Sequence, residues 1–419
     1  MNNETLNIVV KSTGVILALY MFLVGIAGMS SAIKHMGAGF AETVLTTTSD
    51  PFIALFIGIF ATVLFQSSST TTSLIVGMVS SGSLTIAGSI PMIMGANIGT
   101  TVTNTIVSIG HINKRTEFKR AFAASTVHDF FNILAVIIVF PIEIIFHPLQ
   151  KISEWFALQI FGRIENLDVL QTKSPIKVAV KAGSEFIQKF TFDNDVVYLI
   201  LSVFITFLML YSLVKLLKSL VLKKIEGFFD QYIFNTTIKA MIFGVIITIM
   251  VQSSSITTSL VVPLAGAGVL TLRQIFPFTL GANIGTTVTA LLAAITGTVS
   301  ALVAAFSHLL FNICGILIIY GVPFLRNIPL TLAENIADAA VSKKYVPILY
   351  LLTIFVILAY FVSLESDASF QILLFGCIII PVLFLQKILH AINMAWKPET
   401  RSYGMLIFEV VKIPTGIFL

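Results

Sequence analysis

Gln66-Ser67-Ser68-Ser69-Thr70-Thr71-Thr72-Ser73-Leu74 recurs as Gln252-Ser253-Ser254-Ser255-Ile256-Thr257-Thr258-Ser259-Leu260, 186 residues further along. The register runs on without a gap to Gly-Ala-Asn-Ile-Gly-Thr-Thr-Val-Thr at 95–103 and again at 281–289. Of the 38 positions from Gln66 to Thr103, 22 are identical in the second copy. Chance does not produce such agreement, so the chain contains a duplicated unit. With six residues deleted from the register, His-Asp-Phe-Phe-Asn at 128–132 meets His-Leu-Leu-Phe-Asn at 308–312, which extends the unit into the next helix. The halves are residues 12–146 and 196–324, joined by a connector at 147–195. C-terminal apolar spans at 325–390 and a tail at 391–419 follow.

The solvent of this chain is lipid. Its 419 residues are 57% hydrophobic and 11% charged, with a mean hydropathy of +0.98, which a water-soluble domain does not tolerate. Stretches such as Gly14 to Met29, Val196 to Leu210, Ile348 to Val362 and Phe370 to Leu385 extend with their flanks to roughly 20 residues, the length that crosses about 30 Å of hydrocarbon as helix. The expected fold is therefore all-α and polytopic. The first span, from about Ser12, is too long and too sparsely preceded by basic residues for a cleaved leader and reads as a retained helix. The net charge of +5 comes from short Lys/Arg clusters between apolar spans, not from one basic face, so it points away from nucleic acid. Cys314 and Cys377 both fall in apolar spans, which supports neither a disulfide framework nor a thiolate metal cluster.

Basic residues in short loops favour the cytoplasm, and the two halves differ in where they carry them. Lys114, Arg115, Lys119 and Arg120 follow the first Gly-Ala-Asn-Ile-Gly segment, whereas Ala294 to Ser300 after the second holds no charge. Lys215, Lys218, Lys223 and Lys224 lead into the second half, whereas Lys34 to Asp50 holds a single lysine. The halves are thus expected to be inverted. Both chain termini and Arg326 to Lys344 then lie inside, and Glu365, Asp367 and the 147–195 connector outside.

Glutamine followed by a run of Ser and Thr is a poor middle for a lipid-facing helix, because hydroxyls compete for backbone bonds and favour caps and breaks. Coming after the apolar run from Pro51 to Phe65, and before Gly82 and Pro91, the motif reads as the tip of a re-entrant hairpin. Irregular backbone at membrane depth is tolerated only where it faces protein or a watery cavity. Paired interrupted segments in two inverted halves point to a transporter's binding site. The tips offer hydroxyls, amides and helix amino termini without Lys or Arg, a chemistry suited to an anion. Two helix ends supply roughly half a positive charge each, less than phosphate carries near neutral pH. Bound cations close that deficit. The carbonyl, amide and hydroxyl oxygens of Asn97, Gly99, Thr100 and Thr101, and of Asn283, Gly285, Thr286 and Thr287, suit sodium better than a transition metal. Packing alone, with Ser and Thr as glue between helices, explains one such motif but not two matched ones.

QSSSTTTS with GANIGTTVTNT, then KRTEFKRAFAASTVHDFFN, then QSSSITTS with GANIGTTVTA resembles the sodium-dependent inorganic phosphate cotransporter family (type II), in the form of a bacterial member, over most of residues 12–324. The resemblance implies that the two QSSS segments lie at the tips of opposed re-entrant hairpins and form the substrate and sodium sites. It carries those sites onto Gln66, Ser67, Ser68, Ser69 and Asn97 and onto Gln252, Ser253, Ser254, Ser255 and Asn283, and Thr70 is taken with the QSSS residues as substrate-binding. Sodium is then expected as co-substrate with no other cofactor, and the expected location is the cell inner (plasma) membrane. Two departures leave the site untouched: the chain lacks the large disulfide-bonded external loop of vertebrate members and the soluble regulatory domain that some bacterial ones append.

Other residues divide between roles. Asp129 lies within a span, where a carboxylate is expensive and usually functional, and serves either a cation site or proton relay or a structural pairing with His128 or a basic residue at the inner rim. His308, Asn132 and Asn312 are expected to satisfy backbone near the hairpin breaks, Arg273 to lie at the membrane edge rather than to serve the substrate, and Glu143 to snorkel. Trp155 and Trp396 suit interfacial anchoring. Competing readings are a sodium-coupled carrier of sulfate or a dicarboxylate, and an intramembrane serine hydrolase using a motif serine with His128 or His308. The hydrolase lacks a GxSxG-type turn and needs no duplication.

Overall fold

Asp50 and Pro51 fix where the first arm of the motif begins. The Asp50 carboxylate accepts the amide protons of Phe52 and Ile53, and proline fills the first helical position, where its missing N–H is no loss. The helix runs apolar to Phe65, and Gln66 stops it by adopting the left-handed conformation, φ 53°. The computed structural model describes residues 3–161, 175–192, 194–225, 233–343, 345–350 and 352–353. Among them all regular structure is helical. Trp396, Cys377 and most of the expected 325–390 spans lie outside the described residues.

In chain order the helices are α1 (Asn3–His35), α2 (Ala38–Thr47), α3 (Pro51–Phe65), α4 (Ser68–Ser81), α5 (Ile86–Ile98), α6 (Thr101–Ile109), α7 (Arg115–Phe146) and α8 (Pro148–Phe161). Then come α9 (Pro175–Gln188), α10 (Asp195–Ile225), α11 (Thr237–Val251), α12 (Ser254–Ala267), α13 (Leu272–Ala294), α14 (Val299–Gly315) and α15 (Pro323–Ser342), with a five-residue π-helical turn at Ile316–Tyr320 after α14. Five of the described segments, Leu6–His35, Arg115–Phe146, Asp195–Leu220, Leu272–Ala294 and Val299–Tyr320, are long and apolar enough to cross a membrane. The end of α2 and α3 form a sixth apolar pair bent by 107°, a break that the sequence did not announce.

The sequence register of 186 residues is also the structural one. Helices α3 and α11 occupy equivalent positions at both ends, as do α4 and α12, and α5 and α13 start at equivalent residues. A Cβ at Gly58 would overlap the Met92 carbonyl, and one at Gly244 would overlap the Phe278 carbonyl, so each arm touches the following helix backbone to backbone. Because 58 meets 92 while 62 meets 99, α3 and α5 run in the same direction and α4 carries the chain back between them. The halves differ downstream. α5 ends at Ile98 and α6 restarts at Thr101, whereas α13 continues through the equivalent positions to Ala294.

The two halves share their cores. Ile75, Val76 and Val79 of α4 pack with Ala290, Ala293 and Ala294 of α13 and with Ala301, Ala304 and Ala305 of α14. In return Val262 of α12 joins Phe118 and Phe122 of α7. The first helices of the halves, α1 and α10, lie side by side; a Cβ at Gly25 would come within 2.9 Å of the Thr206 amide nitrogen, so only glycine permits the approach. The connector is docked on the halves, through Tyr20 to the Ala179 carbonyl (3.0 Å) and Lys177 to the Gly297 carbonyl (3.1 Å). Glu143 does not snorkel. It is 3% exposed, and its carboxylate accepts from the Leu149 and Gln150 amides, capping α8 from inside the protein. A terminal carboxylate that can satisfy two orphan helix N–H groups gains more there than in headgroups.

Candidate substrate and ion site

Each QSSS motif builds one sharp break, and its residues divide the work. Gln66 (φ 53°, ψ 27°) and Gln252 (φ 58°, ψ 26°) close the arms in left-handed conformation. Their side-chain amides donate back to the Val63 and Ile249 carbonyls, satisfying ends that lipid could not. The Oε1 of Gln252 accepts the Thr289 hydroxyl at 2.8 Å, inside the protein. The first serine of each motif is the N-cap of the next helix, Ser67 Oγ accepting from the Thr70 amide and Ser253 Oγ from the Ile256 amide. The Thr70 hydroxyl, in turn, donates to Ser67 Oγ.

Behind the caps, hydroxyl protons go to the helix itself. Thr71, Thr72 and Ser73 donate to the carbonyls of Ser67, Ser68 and Ser69, and Thr257, Thr258 and Ser259 repeat the pattern on Ser253, Ser254 and Ser255. Among the described residues, the side-chain hydroxyls of Ser68, Ser69, Ser254 and Ser255 have no hydrogen-bond partner. All but Ser255 are buried, and Ser255 is half-buried. Each break therefore ends in a helix amino terminus carrying two unengaged hydroxyls, with no basic side chain in either motif.

The Gly-Ala-Asn-Ile-Gly segments lie behind the tips. Asn97 and Asn283 are 4% and 3% exposed. Asn132 of α7 donates to the Asn97 carbonyl (2.9 Å), just before the break at the end of α5, and Asn312 of α14 to the Asn283 carbonyl (3.2 Å) within the continuous α13. His308 satisfies no backbone group: neither of its ring nitrogens has a partner. Thr100, Thr286 and Thr287 donate to the carbonyls of Asn97, Ala282 and Ile284, leaving their oxygens as acceptors. Gly99 and Gly285 lie against Thr62 and Thr248 of the arms. The Thr101 side chain is outside what the structure describes.

Asp129 is 1% exposed and takes the Tyr350 hydroxyl at 3.0 Å, with His128 Nδ1 at 4.0 Å from its other oxygen. Arg273 is exposed at the first turn of α13, and Trp155 is 55% exposed on α8.

Asn104 is a contributor that sequence reasoning passed over. From α6 its Nδ2 donates to the Thr258 hydroxyl (2.9 Å), and its Oδ1 lies 3.0 Å from the Thr258 and Ser259 hydroxyls, sharing their protons with the helix carbonyls and tying the first half to α12. The second copy has Ala290 in its place. Nearby, Arg120 grips the far end of α12 with two hydrogen bonds to the Gly266 carbonyl (3.0 and 2.7 Å). His111 packs on the same glycine; burial pushes its imidazole below the usual range, against the upward pull of Glu117.

Among the described residues neither His128 nor His308 hydrogen-bonds a motif serine, so the nucleophile–base pair of a hydrolase is not assembled. Residues 21–162 and 205–387 match the profile of the Na+/Pi-cotransporter family. The chain belongs to that family. It is a family of transporters, not of enzymes, in which sodium travels as co-substrate. The chain is 32% identical over 461 residues to the human sodium-dependent phosphate transport protein 2B, covering 88% of this chain and 66% of that protein. It is 32% identical over 454 residues to the sheep (Ovis aries) sodium-dependent phosphate transport protein 2A, covering 89% of this chain and 71% of that protein. The chain thus spans about two thirds of the length of these relatives. No solved structure matches it.

Proposed function

We propose that this chain carries inorganic phosphate together with sodium ions across a plasma membrane by alternating access. The observation that carries the reading is the pair of buried helix starts with unengaged hydroxyls. Ser68, Ser69, Ser254 and Ser255, with the N–H groups of their helices, form the anion cradle, while Gln66, Ser67, Thr70, Gln252 and Ser253 hold its backbone in shape. Such an arrangement supplies donors and partial positive charge without a fixed cation. The compensating charge is sodium, bound by oxygens of Asn97, Gly99, Thr100, Thr101, Asn283, Gly285, Thr286 and Thr287. Asp129, buried on α7 and taking the Tyr350 hydroxyl, is a further candidate ligand for a cation.

The helices α3 and α11 have 15 residues each, about 22 Å of helix, too short to cross a bilayer. This supports reading α3–α4 and α11–α12 as re-entrant hairpins in two inverted repeats, 12–146 and 196–324, with the 147–195 connector external and both termini cytoplasmic. The relatives named above are called phosphate transport proteins, which favours phosphate over sulfate or a dicarboxylate. The test is sodium-gradient-driven phosphate flux into proteoliposomes, with arsenate, sulfate and succinate as competitors. Flux that ignores the sodium gradient, or that sulfate abolishes while phosphate does not saturate it, overturns the reading.

A further inference from the structure

The repeat register makes His128, Asn132 and Asn283 the counterparts of His308, Asn312 and Asn97. In the structure the first set is closed. Asn283 Nδ2 donates to Asn132 Oδ1 at 2.8 Å, which leaves Asn283 Oδ1 to accept from His128 Nε2 at 2.5 Å and fixes the histidine as its Nε2–H tautomer. The second set is open. Asn97 Nδ2 turns instead to the Ile93 carbonyl of its own helix, 3.0 Å away. The groups that would receive the Asn97 amide, His308 Nε2 and Asn312 Oδ1, belong to residues 0% and 1% exposed and have no partner; the Nδ1 atoms of both histidines lack a hydrogen bond and do not distinguish the sets. The backbone half of the arrangement, by contrast, is made in both repeats, since Asn132 and Asn312 each hold the carbonyl of their own repeat's asparagine.

Buried polar atoms without partners are rare and costly, and each calls for a state or a ligand that satisfies it. By the repeat register, the counterpart of the closed set would pair Asn97 Oδ1 with His308 Nε2 and Asn97 Nδ2 with Asn312 Oδ1. The backbone is asymmetric in the same sense: the helix is broken just after Asn97, at Gly99–Thr100, and unbroken after Asn283. A second pair follows suit, for Thr62 bonds Thr71 in the first repeat while the equivalent Thr248 hydroxyl has no partner.

We infer that His308 and Asn312 are the docking pair for Asn97 in the alternate state of the carrier, and that the Asn283 and Asn97 locks close in turn, one in each state. Transport oxygens at Asn97 and Asn283 are thus withdrawn and presented alternately. The inference rests on the alternating-access reading, but its first readout does not involve transport.

The experiment compares His308→Phe with His128→Phe in the full chain. His128→Phe breaks a closed network and should lower the thermal unfolding temperature; His308→Phe removes orphaned polar atoms from the described state and should leave that temperature unchanged or raise it. The second readout is a cysteine at Ser69, in a Cys314→Ala and Cys377→Ala background, labelled by an impermeant maleimide from each side of the vesicle. The two substitutions should move the inside-to-outside labelling ratio in opposite directions, roughly tenfold apart, as loss of one or two hydrogen bonds per state implies. His308→Gln, which keeps a donor, should restore the ratio in part. If His128→Phe does not fold, Asn132→Ala reads the same lock. Equal loss of stability in both arms, shifts in the same direction, or a His308→Phe protein with wild-type ratio and turnover would each overturn the proposal. A chain that shows opposite shifts yet moves no phosphate retains the switch and loses the proposed function instead.

Discussion

Thr289 donates its hydroxyl proton to the side-chain oxygen of Gln252, 2.8 Å away, while the same glutamine's Nε2 holds the Ile249 carbonyl. One side chain thus ties the end of α11 to the C-terminal part of α13, and it does so from a left-handed backbone position, φ 58°. Left-handed conformation costs a non-glycine residue roughly 1–2 kcal/mol. The glutamine is there for its two hydrogen bonds, not for its backbone preference. Gln252→Gly should therefore destabilise less than Gln252→Ala, by up to about 1 kcal/mol once glycine's greater freedom in the unfolded chain is counted. Thermal unfolding in detergent measures this, and the reverse order would mean that the break is held by something other than Gln252.

Ser67 and Ser68 are neighbours in one motif with different tasks. Ser67→Ala removes an N-cap and should cost about 1 kcal/mol of stability, with phosphate affinity changed only slightly. Ser68→Ala removes a hydroxyl that caps nothing. It should leave the unfolding temperature in place and weaken phosphate binding roughly ten- to hundredfold, the worth of a hydrogen bond to a charged partner. The same contrast is expected between Ser253 and Ser254. Calorimetric titration beside a melting curve separates the two effects, and a Ser68→Ala protein with wild-type affinity removes that hydroxyl from the cradle.

Asn104→Leu keeps the volume of the side chain and removes the bridge from α6 to Thr258 and Ser259. Both hydroxyls retain their bonds to Ser254 and Ser255 carbonyls, so no buried donor is orphaned. The protein should fold with a loss of about 1–2 kcal/mol and show a larger fall in turnover than in phosphate binding, because the first half no longer grips the second tip. A variant that binds poorly but turns over normally when saturated contradicts this.

Asn104 also shows where reading the sequence stops. The duplicated motif was legible because identity at a fixed spacing is a one-dimensional signal, and the apolar arms, the breaks at Gln66 and Gln252 and the helical class came with it. The locks of Asn97 and Asn283 were not legible, for a reason internal to that signal. Two copies with equal residues predict equal structures, yet His128 is bonded and His308 is not, and the helix breaks at Gly99 but not at Gly285. The difference is conformational. Asn104 was hidden because the repeat signal marks only residues present in both copies, and Ala290 breaks the match. Glu143 was misplaced because Leu149 and Gln150, whose amides it caps, lie beyond a helix end that hydropathy alone does not locate.

Orientation offers a test independent of chemistry. If the halves are inverted with the amino terminus inside, single cysteines at Asn113 and at Leu220 label only from the cytoplasmic side, and one at Thr298 only from outside. The motive is the exchange of basic clusters between Lys114–Arg120 in the first half and Lys215–Lys224 in the second. Labelling of Asn113 and Thr298 from the same side excludes the inverted arrangement while leaving the helical hairpins as they are.

Coupling follows from the charges. The two motifs bring an anion to helix ends and hydroxyls with no Lys or Arg in either motif, and the helix ends together supply only about one positive charge. Phosphate at neutral pH brings between one and two negative charges, so the remainder must come from bound sodium. Each ligand should then raise the affinity of the other by the same factor, since linkage between binding sites is reciprocal. Asn97→Ala removes an amide whose oxygen is not held by the His–Asn lock in the described state, and so should raise the sodium concentration needed for half-maximal uptake. Asn283→Ala removes an amide that is locked at both atoms, and so should act first on stability. Calorimetry of phosphate binding in sodium and in choline measures the coupling directly. An affinity that is the same in both salts would show that the cradle neutralises phosphate without sodium, and a proton or a group outside the motifs would then have to supply the missing charge.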